Sequence, residues 1–148
     1  MIIDIHGHLG NINQAPFWAA NEKQLDQYCQ KAGIDLLCVS SAKSLMYDVM
    51  EGNRDLDAAL KNSDRLLGYV TISPVFPESA DDLRLLKSNP KFKGVKIHPD
   101  YHGFDMASPR AIEFLDRIAE QVELMLFHVS CMPGTGFADA GAILDFAE

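Results

Sequence analysis

Five short runs of apolar residues recur along the chain and alternate with longer segments of mixed polarity. The runs lie at residues 2–5, 34–39, 66–72, 94–97 and 124–129. They are nearly continuous in apolar residues, which is typical of strands that are buried on both faces of a parallel sheet. We therefore predict five parallel β-strands, near residues 2–8, 34–40, 66–73, 94–98 and 124–129.

The segments between these runs predict helices with recognisable starts and stops. Asn21, with Gln24 three residues later, predicts a helix start, and Gly33 predicts the end of the same helix. Ser108 predicts another start, because a proline follows it at the first helical position. Further helices are expected after Asn53, after Ser79 and over residues 140–147.

The alternation of strand and helix predicts an α/β fold with a parallel sheet and right-handed crossovers. Successive strands begin about 30 residues apart, which is the repeat length of a (β/α) barrel of TIM type. The 148 residues then form a single domain, residues 1–148, a partial barrel truncated to five βα units. A flavodoxin-like doubly wound sheet, with strand order 2-1-3-4-5, is the alternative at this length.

Composition narrows the possible partners and the compartment. The net charge of −8, with 13 scattered Lys and Arg residues, argues against a nucleic-acid-binding or anionic-membrane-binding surface. The three cysteines, Cys29, Cys38 and Cys131, form no C-x-x-C pair, which argues against a disulfide framework. With no signal-peptide pattern and no membrane-spanning run, we expect a cytoplasmic protein.

Histidines at strand ends are the strongest chemical signal. His6 and His8 are two residues apart at the end of the first apolar run, so their side chains project from the same face of a strand. His128 lies at the end of the fifth run. Neutral imidazole is a common ligand of zinc, so these three residues predict a metal site at the carboxyl ends of parallel strands.

These motifs resemble the amidohydrolase superfamily, specifically its amidohydrolase-2 branch of metal-dependent hydrolases, which includes aminocarboxymuconate-semialdehyde decarboxylase. Residues 2–9 look like the first-strand metal motif of this branch. Residues 94–104 look like its fourth-strand segment, and residues 127–130 look like its fifth strand with a third ligand. The resemblance runs along the whole chain.

The resemblance implies a divalent metal ion, commonly zinc, held by His6, His8 and His128. It implies a hydrolase that uses a metal-activated water on an amide, ester or lactone of a small-molecule substrate. Decarboxylation is the alternative within the same superfamily, and a non-catalytic fragment is a further one. The family's next histidine, on the sixth strand, and its general-base aspartate, on the eighth, correspond to positions beyond residue 148. We therefore expect little activity from these 148 residues alone.

Three more residues are candidates for roles around the metal. Lys96 and His98 share a face of the fourth strand, and we expect them to bind substrate or lie at the rim of the site. For Lys96, pairing with Asp4 is the alternative; in some superfamily branches such a lysine is carboxylated and bridges two metal ions. Asp4 is expected to hold a ligand imidazole in the right tautomer. His102 is expected to be exposed in a loop.

An arc of five strands leaves its first and fifth strands as edges with unpaired backbone groups. The fifth strand is apolar, with Leu124, Leu126 and Phe127. We therefore expect the 148-residue chain to self-associate.

Overall fold

The computed structural model describes residues 1–12, 20–130 and 137–148, and the structural statements below concern these residues. The strands are β1 (Ile3–Leu9), β2 (Leu36–Ser41), β3 (Leu66–Thr71), β4 (Phe92–Ile97) and β5 (Met125–Phe127). The helices are α1 (Glu22–Ala32), α2 (Ala42–Met46), α3 (Val49–Lys61), α4 (Arg84–Ser88), α5 (Pro99–His102), α6 (Pro109–Ala119) and α7 (Ala140–Ala147). A 3₁₀ helix, Pro77–Leu83, precedes α4.

The five strands form one parallel sheet in the order β1-β2-β3-β4-β5. Each strand pairs with its successor in the chain, and the sheet curls into a half-barrel with helices between the strands. This confirms the predicted partial barrel of TIM type. The flavodoxin-like alternative is wrong, because it requires β1 to lie between β2 and β3.

Two predicted helix starts are confirmed by their caps. Asn21 and Gln24 form a reciprocal capping box at the start of α1, and Gly33 ends this helix in the left-handed conformation with a φ of 72°. Ser108 caps α6, where its side chain accepts a hydrogen bond from the backbone N–H of Ala111.

Two other predicted starts are wrong. Helix α3 begins at Val49, because Asp48 accepts a hydrogen bond from the backbone N–H of Glu51 and caps the helix earlier than expected. Asn53 is instead buried inside α3. Ser79 lies within the 3₁₀ helix, where its hydroxyl bonds to the backbone of Ser73 and caps nothing.

The hydrophobic core lies between the outer face of the sheet and the helices. The strands contribute Leu66, Val39, Val70, Val95 and Ile97, and the helices contribute Leu56, Leu60, Leu115 and Ile118. Burial of these side chains fixes the strands in register, so that their carboxyl ends meet along one rim of the sheet.

Two of the cysteines are free and buried, Cys29 and Cys38, whereas Cys131 lies outside the described residues. Among the described helices, none combines the length and the apolar character needed to cross a membrane.

Candidate metal and substrate site

The structure brings the predicted histidines to the carboxyl-end rim of the sheet as two pairs of rings. His6 and His8, both in β1, have ring centroids 5.1 Å apart and planes tilted by 58°. His98 follows β4 and His128 follows β5, and their rings stack with centroids 3.9 Å apart. The two pairs also interact electrostatically, because a charge on His128 lowers the pKa of both His6 and His8.

A β-bulge in β1 sets the position of the first pair. Asp4 pairs with Leu37 and Gly7 pairs with Val39, so β1 carries one residue more than β2 over this stretch. Such a bulge frees backbone groups from the ladder and redirects side chains, and bulges are enriched beside active sites. Here the freed carbonyl of Ile5 accepts a hydrogen bond from the Tyr69 hydroxyl at 3.1 Å.

Asp4 lies at the start of this bulge, and its side chain bonds to the bulged backbone. Its carboxylate accepts a hydrogen bond from the backbone N–H of His6 at 3.0 Å, and its charge raises the pKa of His6 against the larger lowering effect of burial. Asp4 thus supports the backbone of a candidate ligand. The sequence prediction that it holds a ligand imidazole stays a prediction.

Lys96 and the four histidines His6, His8, His98 and His128 form a cluster, because the charge of Lys96 acts on all four rings. Its side chain is completely buried, and among the described residues its Nζ has no hydrogen-bond partner. The alternative that it pairs with Asp4 is therefore not realised. Burial lowers the pKa of Lys96 to about 8, and its charge lowers the pKa of His6, His8, His98 and His128.

The imidazoles of the cluster are neutral at pH 7. Burial, followed by the charges on His6, Lys96 and His128, lowers the pKa of His8 to about 4. Burial and the charges of His128 and Lys96 lower the pKa of His98 to about 2. A neutral imidazole keeps one nitrogen lone pair, which is the form that binds metal.

From the sequence, His98 is expected to bind substrate or lie at the rim of the site. In the structure its ring stacks on His128 and bonds to the backbone of α5. It caps the short helix α5, where its Nδ1 accepts a hydrogen bond from the backbone N–H of Tyr101 at 3.3 Å. Its ring is buried and stacks on the Tyr101 ring, with centroids 4.1 Å apart. His98 therefore lies in a stack of three rings between Tyr101 and His128.

Asp100 contacts the candidate site, although no sequence motif points to it. Its Oδ2 lies 3.5 Å from Nε2 of His128, and its Oδ1 is buried with no hydrogen-bond partner among the described residues. In the sequence Asp100 is one of several acids in a turn-rich segment. Only the packing of α5 against the end of β5 distinguishes it from Asp105, which is exposed.

His102 does not lie exposed in a loop, as the sequence predicted. It is buried at the end of α5, and its Nε2 donates a hydrogen bond to the carbonyl oxygen of Ser44 at 3.2 Å. The reason is that α5 folds back onto α2 instead of extending into solvent. His102 thus connects α5 to α2 and lies outside the pairs of candidate ligands.

The donor atoms of the cluster suit a divalent cation, but in the described part of the chain they do not surround a single point. Among residues 1–12, 20–130 and 137–148, no three His, Cys, Asp or Glu side chains lie in an arrangement that could hold one metal ion. The neutral imidazoles of His6, His8 and His128 are nevertheless donors that such an ion accepts. These rings would have to move to surround one ion.

The fold and the rim of histidines define an α/β protein with a half-barrel sheet and a candidate metal and substrate site at the carboxyl ends of its strands. Neither a protein-family model nor a curated protein matches the sequence. The structure is similar to that of the 5-carboxyvanillate decarboxylase LigW2 from Novosphingobium aromaticivorans, with a TM-score of 0.64 and 16% sequence identity.

That enzyme was crystallised as an aspartate-to-asparagine variant with bound manganese and 3-methoxy-4-hydroxy-5-nitrobenzoic acid. The match covers 90% of the present chain and 52% of the decarboxylase, so the chain spans about half the length of this relative. At this level of identity the similarity establishes the fold.

Proposed function

We propose that the chain carries the metal-binding and substrate-binding elements of a divalent-metal-dependent decarboxylase of the amidohydrolase superfamily, acting on a small carboxylic acid. The sequence resemblance favoured a hydrolase and gave decarboxylation as the alternative. The structural neighbour is a decarboxylase with bound manganese, which supports the alternative over the hydrolase.

The observation that carries the proposal is the buried charge of Lys96. A buried ammonium group without a partner is costly, and such a group is retained where it meets an anion. Lys96 has no such anion among the described side chains, and the four surrounding imidazoles are neutral. A substrate carboxylate would supply the missing negative charge.

A metal ion held by the candidate histidines would strengthen the same conclusion. Two positive charges a few ångströms apart repel, and the repulsion is large where water is excluded. An anionic substrate placed between the cation and Lys96 would offset this repulsion. The site therefore favours a carboxylic acid over a neutral ester, amide or lactone, which brings no charge.

In this proposal His6, His8 and His128 hold the cation, Lys96 binds an anionic oxygen of the substrate, and His98 and Tyr101 form one wall. A divalent cation bound there would supply Lewis-acid polarisation of a substrate oxygen. The neighbour's manganese makes Mn²⁺ as good a candidate as the zinc expected from the sequence.

Binding of a matched pair of ligands tests the proposal. In the presence of Mn²⁺ or Zn²⁺, we expect benzoate to bind at least 10-fold more tightly than benzamide, since a charge-assisted hydrogen bond contributes about 1.5–3 kcal/mol. Isothermal titration calorimetry measures both affinities. In Lys96→Met, which keeps the length of the side chain and removes its charge, the preference should disappear.

Equal affinity of the parent chain for benzoate and benzamide would contradict the proposal. Assays of CO₂ release from hydroxybenzoic acids and of hydrolysis of esters and lactones then separate decarboxylase from hydrolase. Turnover of the esters alone would restore the hydrolase as the better interpretation.

A further inference from the structure

We infer that Asp100 is a positioning residue that holds His128 in the tautomer with the proton on Nε2, so that Nδ1 presents the lone pair for a metal ion. This inference rests on the proposed function in one respect, namely that His128 is a ligand. It rests otherwise on the contacts of Asp100 itself.

The first contact is between the carboxylate and the ring edge of His128. Oδ2 of Asp100 lies 3.5 Å from Nε2 of His128, and the two side chains are 18% and 34% exposed. A carboxylate oxygen has only lone pairs, so it repels a ring nitrogen that carries a lone pair and attracts one that carries a proton. The contact therefore selects the tautomer that is protonated on Nε2.

The second contact fixes the plane of the same ring. The His98 ring stacks on one face of His128, with an interplanar angle of 12°. His98 is itself held, because its Nδ1 accepts a hydrogen bond from the backbone of Tyr101. The segment from His98 to Tyr101 thus touches His128 on its face and at its edge, and leaves little freedom for the ring to turn.

The backbone adds a third restraint on His128. Its N–H donates to the carbonyl oxygen of Ile97 at 2.9 Å, which continues the ladder between β4 and β5 by one residue. Asp100 follows Ile97 by three residues, so one short segment holds both the main chain and the side chain of the candidate ligand. This is the arrangement in which a carboxylate orients a metal-binding imidazole through its second nitrogen.

The variant Asp100→Asn tests the inference, because it keeps the shape of the side chain and removes its charge. Asp105→Asn is the matched control: Asp105 lies in the same segment, is exposed, and accepts its hydrogen bond from the backbone of Ala107. Two measurements are needed, one without metal and one with it.

The first measurement is the ¹⁵N NMR spectrum of the histidine side chains in metal-free protein. We expect His128 to show a protonated Nε2 in the parent and in Asp105→Asn, and a shift toward mixed tautomers in Asp100→Asn. The second is the dissociation constant for Mn²⁺ by calorimetry. It should rise by roughly 10–100-fold in Asp100→Asn and stay unchanged in Asp105→Asn.

The two arms separate the two claims. If Asp100→Asn leaves the spectrum of His128 unchanged, the inference about Asp100 is wrong, whatever the metal affinity. If the parent binds neither Mn²⁺ nor Zn²⁺, the proposed function is wrong, and the metal-free spectrum alone decides the role of Asp100.

Discussion

The role proposed for Lys96 comes with a cost to folding. Its ammonium group is completely buried and unpaired, and burial lowers its pKa from 10.5 to about 8. Below pH 8 the group is charged in both the folded and the unfolded chain, so the folded state bears the full desolvation penalty. Replacing it with an apolar side chain of similar length should therefore stabilise the fold while it removes the charge that we propose binds a carboxylate.

We expect Lys96→Met to raise the free energy of unfolding at pH 7 by on the order of 3 kcal/mol. The parent should become more stable between pH 8 and pH 10, because the folded chain releases the Lys96 proton there while the unfolded chain keeps it. In Lys96→Met this rise should be absent. Urea unfolding at several pH values, in the presence of a chelator, measures both effects.

A parent whose stability is flat over this range would contradict the burial of a charged Lys96. The control is Lys93→Met on the same strand, because Lys93 is exposed and, among the described residues, its ammonium group donates to the nearby carbonyl of Pro90. Its replacement should leave both the stability and its dependence on pH within about 0.5 kcal/mol of the parent.

At the residue scale, the sequence could predict ligand types but not their surroundings. The spacing of His6 and His8 and the position of His128 at a strand end are visible in the sequence, because strand periodicity places them. The partner of His128 is not visible, since Asp100 reaches it only through the turn of α5. Whether Lys96 has a partner depends on every side chain around it. A short sequence pattern does not predict which side chains those are.

At the scale of elements, the buried side-chain amide of Asn53 bonds to the backbone at the end of β3, in the way that a neighbouring strand would. Asn53 in α3 donates through Nδ2 to the carbonyl oxygen of Thr71 at 2.9 Å and to Oδ2 of Asp82 at 3.0 Å. Its Oδ1 accepts from the backbone N–H of Thr71 at 2.9 Å. Since Thr71 pairs with Lys96 on its other side, Asn53 helps to hold the strand that carries Lys96 in register.

We expect Asn53→Asp to lower the free energy of unfolding by about 3 kcal/mol at pH 7. The new oxygen would face two acceptors, the carbonyl of Thr71 and the carboxylate of Asp82, so one donor is lost and repulsion is added. Thermal and urea unfolding measure the loss. Asn62→Asp is the control, because Asn62 bonds only to the carbonyl of Ala58 at the exposed end of the same helix.

The control should lose less than about 1 kcal/mol, which is the range expected for an added negative charge at a helix carboxyl end. Similar losses in the two variants would mean that Asn53 acts through helix propensity and not through β3. From the sequence Asn53 is expected at a helix start, whereas it lies buried inside α3. The sequence cannot separate the two roles, because a helix cap and a bond to a neighbouring strand use the same side-chain amide. Only the tertiary structure decides which backbone groups the amide contacts.

At the scale of the whole molecule, the presence of five parallel strands was the most predictable feature. Continuous apolar runs at a regular spacing are enough to predict parallel strands, and the structure adds only their succession from β1 to β5. The short elements α2 and α5 were not predicted. Helix α2 packs closely on α3, where a Cβ at Gly52 would lie 2.2 Å from the backbone nitrogen of Ser44. Such a helix is fixed by tertiary packing and not by its own sequence.

The same sheet presents apolar side chains that no described element covers. On β1, Ile3 and Ile5 are 45% and 61% exposed, and near β5 Leu124 and Val129 are 44% and 46% exposed. Both strands lie at the ends of the sheet order, so their outer backbone groups are available for pairing. We expect two copies of the chain to associate through these strands, as the sequence predicted.

Charge sets how this association responds to salt. Each copy carries a net charge of −8, so long-range repulsion opposes association at low ionic strength, and added salt screens that repulsion and strengthens the apolar contact. Light scattering coupled to size-exclusion chromatography should show a larger mass as salt rises. Ile5→Lys should shift the chain toward the monomer, whereas Ile112→Lys, at a 38% exposed position on α6, should not. A monomer at every salt concentration, or equal effects of the two variants, would show that the β1 edge is not the contact.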